Sequence, residues 1–503
     1  MAIHHLMTDP GALLIVGTIL LLVYLVYQRF LHPLSKYPGP FLASFTDLHK
    51  FFLFWSLRID QKIIHLHQKY GPIVRIAPNE LSFWNAEAVA PIYKSGKAVV
   101  KSSFFDGFTT FNPNLFGNRD ENIHSLRRRQ MAHSFSTSSL TDMESIFDRH
   151  VDNLRQKLDK YVATGKKFDL KNLIAFYGYD VLGELAFNVD FHSQEKDDSE
   201  NLPPINDHIL LGCLYGSLPG ILPWSMKLSN YLPFSWLRRL IKSRQKIRRT
   251  VARCVEEKAS ESSEKTLLTN LKLAKDPATG QGLSKVEISS EAFGFLVAGS
   301  HTTSGTLTLL FYHILHNPDV RHRLEDELCE KLPAIENGAY PFPGLEKMLP
   351  FMTACIRENF RHTPVFTMPL TRTVMDHAGL VIDGERIPQG ANVSISNYSL
   401  HHNPCIWGPD QDKFKPDRWL ASDGATQDKL QYLMPFGAGH RMCIGRNIAT
   451  INIVKIVTTL LRSYSFEVME KDERLDIMTV GIGEKDGPLM CRVNRREPII
   501  SLR

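Results

Sequence analysis

The chain has 503 residues, 43% of them hydrophobic and 22% charged, with a formal net charge of +6. These values suit a globular protein with a buried core and exclude a disordered, collagenous or repeat-built chain. A charge this mild for the length gives no reason to expect nucleic acid, and it is compatible with an anionic membrane face or an acidic partner.

Seven cysteines, at 213, 254, 329, 355, 405, 443 and 491, are scattered without a C-x-x-C pair. That is neither a disulfide framework nor a zinc module, so a reducing compartment is expected, with most thiols as small core residues. Gly11 to Tyr27 is an uncharged apolar run extended by Phe30 and Leu31. At ~1.5 Å per residue, about 20 residues cross a ~30 Å hydrocarbon core, so the run is just long enough to span a membrane. No basic segment precedes it and no small-x-small site follows it, which argues against a cleaved signal peptide. Arg29 and Lys36 follow instead and place the body on the cytosolic side. Residues 1–31 are therefore expected as the anchor. Residues 32–40, ending in Tyr37-Pro38-Gly39-Pro40, are expected as a stiff hinge.

From residue 41 to 503 the pattern predicts one large, mainly helical body with a few short strands. Strands are expected at Ile73–Ile76 and Leu380–Ile382, and helices at Ile288–His316, Val320–Leu332, Lys347–His362 and Arg446 to about Arg462. Ser102 to Phe116 is loop-like yet holds five phenylalanines, and Gly216 to Trp236 mixes Pro, Trp, Leu and Phe without a period. Each suits either a buried connector or a pocket wall dipping toward a membrane. Arg238 to Arg253 is a basic helix, read as a solvated face ahead of the alternative, a contact with lipid headgroups or a partner. Gly481 to Gly487 superficially looks like a dinucleotide loop, but Pro488 follows where a helix would have to begin.

Phe436 to Gly445 reads FGAGHRMCIG. Its three glycines make a tight loop that brings backbone amides close to whatever Cys443 binds. The helix that follows favours an anionic thiolate at its positive end. Arg441 is permanently charged and suited to a carboxylate. This segment resembles the heme-binding loop of the cytochrome P-450 family, F-x-x-G-x-R-x-C-x-G, with every fixed position present as Phe436, Gly439, Arg441, Cys443 and Gly445. Other segments resemble family elements in the family's order. Glu358 and Arg361 match its E-x-x-R helix, and Arg418 the arginine that completes a buried ionic cluster under the loop. Ala298-Gly299-Ser300-His301-Thr302-Thr303 is similar to its oxygen-activation motif, with Thr302 at the threonine and His301 where an acid is usual. A hydroxyl bonding back to a carbonyl there would accompany a bent, slightly opened helix. His124 and Arg128 resemble a pair that binds a heme propionate, His124 replacing tryptophan, and Arg372 and Arg441 fit further propionate contacts.

The resemblance covers essentially the whole chain. It implies a mainly α, triangular helical body with small β-sheets behind one transmembrane helix. It further implies heme b bound through Cys443, with Thr302 and His301 as the catalytic pair. The implied activity is a monooxygenase using O2 on a small lipophilic substrate, with Phe104, Phe105, Phe108, Phe295, Val365, Phe366 and Met368 as candidate walls. The chain ends about 60 residues after Cys443, so electrons are expected from a separate NADPH–cytochrome reductase. The expected location is the endoplasmic reticulum membrane, single-pass, with the body in the cytosol. The style of several segments is fungal and favours natural-product biosynthesis over oxidation of an aromatic or xenobiotic compound. A heme-thiolate isomerase needing no external electrons, and a non-catalytic heme sensor, are the rival classes.

Overall fold

The computed structural model describes residues 10–229, 231–257, 266–276, 279–421 and 428–496. Residues 1–9 of the expected anchor and 497–503 of the body lie outside the described residues. Helix α1 (Pro10–Val26) continues as a π-helical turn over Tyr27–Leu31. These 22 residues, of mean hydropathy 2.2, are long and apolar enough to cross a membrane. The base of the helix is clamped to the body. Arg75 donates to the Gln28 carbonyl and to its side-chain oxygen, both at 2.9 Å. The expected hinge is likewise laid down on the body. The Arg75 amide donates to Pro38 O at 2.8 Å, and a Cβ on Gly39 would run into the Arg75 carbonyl.

Strands β1 (Ile73–Ala77), β2 (Glu80–Phe83), β3 (Val99–Lys101), β4 (Arg372–Val374) and β5 (Asn392–Ile395) form one sheet in the order β1-β2-β5-β4-β3. β2 and β5 run parallel and the other pairs antiparallel. The hairpin strands β6 (Ile477–Thr479) and β7 (Gly483–Lys485) form a separate pair.

The body is helical. α2 (Glu121–Ala132), α3 (Leu170–Phe187), α4 (Ile205–Gly216) and α5 (Ser235–Glu257) precede the central α6 (Lys285–His316). A capping box starts α6: Ser284 Oγ accepts from the Glu287 amide, and the Glu287 carboxylate accepts from the Ser284 amide. The helix therefore begins three residues before its expected start. It crosses α3 closely, because a Cβ on Gly299 would sit 2.6 Å from Leu182 Cδ1. The helix expected at Val320–Leu332 runs Pro318–Lys331.

The helix expected at Lys347–His362 is two helices, Leu345–Met348 and α7 (Pro350–His362). Pro350 has no amide to continue the first helix but suits the first position of the second. Glu327 then accepts from the exposed amides of Phe351 and Met352, each at 2.8 Å. On α5 the basic residues are mostly exposed, but Arg244 is buried, donating to His208 Nδ1 at 3.1 Å and Gly107 O at 2.9 Å. The solvated face predicted there does not include it. α8 (Arg446–Ser463) follows the cysteine loop.

A buried ionic hub ties α7 to the segment ahead of that loop. Arg361 Nη2 and Nε donate to the two Glu358 oxygens at 2.8 and 3.0 Å. Arg418 Nε, Trp419 Nε1 and the Lys415 amide add donors at 3.0, 2.9 and 2.9 Å. Glu358 and Arg361 are fully buried. Removing one partner from such a set strands the others in low dielectric. Glu358→Gln should cost about 3–5 kcal/mol of unfolding free energy in urea titration; a loss below about 1 kcal/mol, the worth of an exposed pair, would refute the hub.

Buried histidines set the acid limit of the fold. Burial lowers His67 to about 4, and His124, His313, His401 and His402 to about 3, from the ordinary 6.5. It drives His208 and His362 well below the ordinary range. The unfolded chain takes up protons below 6.5 while the folded chain holds them off until 4 to 3. Stability is therefore full above 6.5 and falls as pH drops through that window. Each histidine adds a slope of up to about 1.4 kcal/mol per pH unit. Urea midpoints at pH 7 and pH 5 should differ strongly, and equal midpoints would contradict this.

Candidate active site

Gly437 and Gly439 turn the cysteine loop with φ of +74° and +70°, a region open to glycine at no steric cost. A Cβ on Gly439 would also strike the Tyr93 carbonyl. The Cys443 amide donates to Phe436 O at 2.8 Å and closes the loop. Phe436 meets Phe360 of α7 edge-on, with centroids 5.3 Å apart. The ionic hub and the loop thus hold the same helix from two sides.

Cys443 is exposed, unlike the buried Cys213, Cys254, Cys355 and Cys491. Residues 435–450, Gly445 included, are all half-buried or exposed, whereas α8 is buried from Ile451 to Arg462. Protein surrounds the sulfur closely enough for desolvation to dominate its acidity. Burial pushes the thiol up, outweighing the Gly445 amide, Arg128 and Arg446. A coordinated metal ion would reverse the balance, because it deprotonates a thiol outright.

The central helix has an open side of its own. Ala298 is exposed, and Phe295 and Thr302 are half-buried, in a helix otherwise largely buried. Thr302 Oγ1 donates to Ala298 O at 2.7 Å. α6 is assigned as one continuous α-helix through this stretch. Its small residues divide the work: Gly299 packs on α3, and Ala298 leaves room beside Thr302. Phe295 and Val297 of α6, and Ile444 beside Cys443, border one apolar cluster. His301 meets other company, its Nε2 lying 3.1 Å from Glu484 Oε2 on β7.

Cations gather beside the cysteine loop. Arg128 Nη1 donates to Met442 O at 2.6 Å. Arg372 is buried against the Tyr93 ring and lowered to about 10 by burial. Arg441 Nη2 donates to Glu121 Oε1 at 2.7 Å and its Nη1 to Asn118 O at 2.8 Å, so the carboxylate it faces is Glu121. His124 is buried with Nδ1 unpartnered, and burial and then Arg441 hold it neutral. Lys101 of β3, which no sequence pattern singled out, joins them. It is buried over the Phe105 and Phe116 rings, each 4.3 Å away. Burial, then Arg372 and Arg441, depress its ammonium well below the ordinary range. A lone lysine ahead of a phenylalanine-rich stretch was the available signal. Only Glu121 offsets this charge within the group, so the cluster suits an anionic ligand.

The expected wall residues separate. Phe104, Phe105 and Phe108 are buried in the core, because Gly212 and Gly216 let α4 press onto them. Val365 and Met368 are also buried. Phe295 and Phe366 are half-buried.

A family model described as Cytochrome P450 matches residues 33–491. Benzoate 4-monooxygenase of Aspergillus niger is 28% identical, covering 98% of this chain and 99% of the relative. Pisatin demethylase of Fusarium vanettenii is 28% identical over 90% of this chain and 87% of the relative. A cytochrome P450 monooxygenase, gsfF, of Penicillium aethiopicum is 31% identical over 90% and 91%. Lys101→Met should speed heme loss to a scavenger globin about 10-fold, as loss of a supporting contact does at metal sites; an unchanged rate would remove Lys101 from the site.

Proposed function

We propose that this chain, which belongs to the cytochrome P450 family, oxidises a lipophilic small molecule in fungal natural-product biosynthesis, by hydroxylation, epoxidation or related chemistry. It is a monooxygenase whose heme iron is bound through a cysteine thiolate, and it uses O2, a redox-partner reductase and an organic substrate. Cys443 is the cysteine in this reading. One observation carries the assignment: Cys443 is exposed within F-x-x-G-x-R-x-C-x-G, beside the buried Lys101 and Arg372. The donor set fits heme. One soft thiolate suits iron, and the cations with the unpartnered His124 suit two propionates. When bound, the heme supplies the activation of dioxygen.

The side chains supply the rest. Lys101, Arg128, Arg372 and Arg441 would neutralise the propionates, and His124 would offer them its free nitrogen. The Gly445 amide tunes the sulfur. Thr302, anchored on Ala298 O, positions water and steers protons on the open side of α6. Phe295 and Phe366 would orient an apolar substrate and keep bulk water out. The names of two relatives favour a second reading, oxidation of an aromatic compound.

Residues 1–31 would anchor the protein in the endoplasmic reticulum membrane and 32–40 would fix the anchor to the catalytic body at 41–503. The body would then sit in the cytosol and receive electrons from NADPH–cytochrome reductase. The exposed Trp224, Leu228, Tyr231 and Phe234 would touch the same membrane. This apron is continuous with Trp55, whose ring meets that of Trp236 at 4.5 Å.

Reduced protein treated with carbon monoxide should give the strongly red-shifted Soret band of thiolate heme, and Cys443→Ala should lose it. A band retained in that variant would end the ligand assignment. Deleting residues 1–31 should release most of the protein from membranes at high salt; full retention would transfer anchoring to the apron.

A further inference from the structure

We propose that Glu484, on the hairpin strand β7, is a positioning residue for proton delivery, acting through His301 on the open side of α6. The proposal rests on the reading of Thr302 as the proton-steering hydroxyl. His301 stands where the family motif usually carries an acid, and tertiary structure brings a carboxylate to it from 183 positions along the chain. His301 Nε2 lies 3.1 Å from Glu484 Oε2, off the line of a straight hydrogen bond. Lys171 of α3 and Asn206 of α4 bind the same carboxylate. Three elements therefore converge on one side chain that is only 14% exposed.

The electrostatics make Glu484 a fixed anion. Burial pushes its carboxyl up, but the nearby His301 and Lys171 hold it well below the usual carboxylate range. A carboxylate on one ring nitrogen sets the tautomer and orientation of a histidine. Here it takes Nε2 and leaves Nδ1 as the exchanging atom. Water has a route to the pair. A half-open cavity of about 310 Å³ is lined by Lys171, Asn206, Asp207, His301 and Glu484, with Ser304 and Thr308 of α6.

The step balances. One proton leaves His301 Nδ1 for water beside Thr302 while Nε2 stays toward Glu484, and a proton from cavity water replaces it on the ring. No electron moves, and Glu484 ends ionised as it began.

The test uses full-length holoenzyme in membranes with reductase and NADPH and no added substrate. O2 uptake and released hydrogen peroxide are measured together. Glu484→Gln should slow O2 uptake about 10-fold, as loss of a supporting residue does, and raise the fraction of O2 recovered as peroxide. His301→Asp in the Glu484→Gln background should restore both, which a purely structural tie would not permit. Thermal midpoints of the holoenzyme before NADPH is added give a reading independent of turnover. The losses in Glu484→Gln and His301→Gln should not add in the double variant. Additive losses would disprove the pairing, and coupled losses with unchanged peroxide would disprove the relay. If Glu484→Gln does not retain heme, Glu484→Asp keeps the charge on a shorter side chain and should show a partial effect. Wild-type peroxide from that variant, in a crystal structure where Asp no longer reaches His301, overturns the proposal. Thr302→Ala separates the layers. A peroxide rise there but not in Glu484→Gln removes Glu484 alone, whereas no rise in either removes the reading of Thr302.

Discussion

The Glu358 carboxylate is the point on which the rest of the site depends. Five donors from four residues converge on its two oxygens, and neither it nor Arg361 touches solvent. Arg361 extends the hub through carbonyls of His401, Gln411 and Lys413, and Arg418 through those of Trp407 and Asp410. A charge buried this deeply is tolerated only when every lone pair is used. Irregular backbone between residues 401 and 419 is thereby held against α7 with little regular secondary structure of its own. The cysteine loop inherits that rigidity through the contact of Phe436 with Phe360. Buried electrostatics thus hold in place the loop that carries Cys443.

The second organising feature is that α6 divides two environments. On one side lie Phe295, Ala298 and Thr302, with room beside them. On the other, His301 faces Glu484, Lys171 and the cavity. Serine and threonine hydroxyls along the helix bond back to carbonyls one turn earlier, as at Ser300, Thr302, Ser304, Thr306 and Thr308. Polar groups can therefore line a buried helix without stranding an unsatisfied donor.

Charge is distributed unevenly around the cysteine. Lys101 and Arg372 lie in buried surroundings that depress both, and Glu121 is already engaged by Arg441 and His440. Desolvated cations with so little compensation are costly in isolation. An anionic ligand in contact would make the arrangement favourable.

Much of this was legible in the sequence because its signals are local. The apolar run of α1, the glycine turns around Cys443 and the Glu358–Arg361 spacing each depend on residues a few positions apart. Chain chemistry at that range is set by backbone geometry. Pro350 was equally visible, and its break in the helix expected at Lys347–His362 follows from its missing amide. Other features arise only when distant segments meet. Lys101 acquires meaning from Arg372 and Arg441, which are 271 and 340 positions away. Phe104, Phe105 and Phe108 become core because two glycines of α4 admit them. Glu484 reaches His301 only through the β6–β7 hairpin. The sequence by itself determined the family and the long apolar helix near its start. The tertiary structure alone decided which charges share a low-dielectric space, because burial and proximity belong to the packed chain rather than to any segment of it.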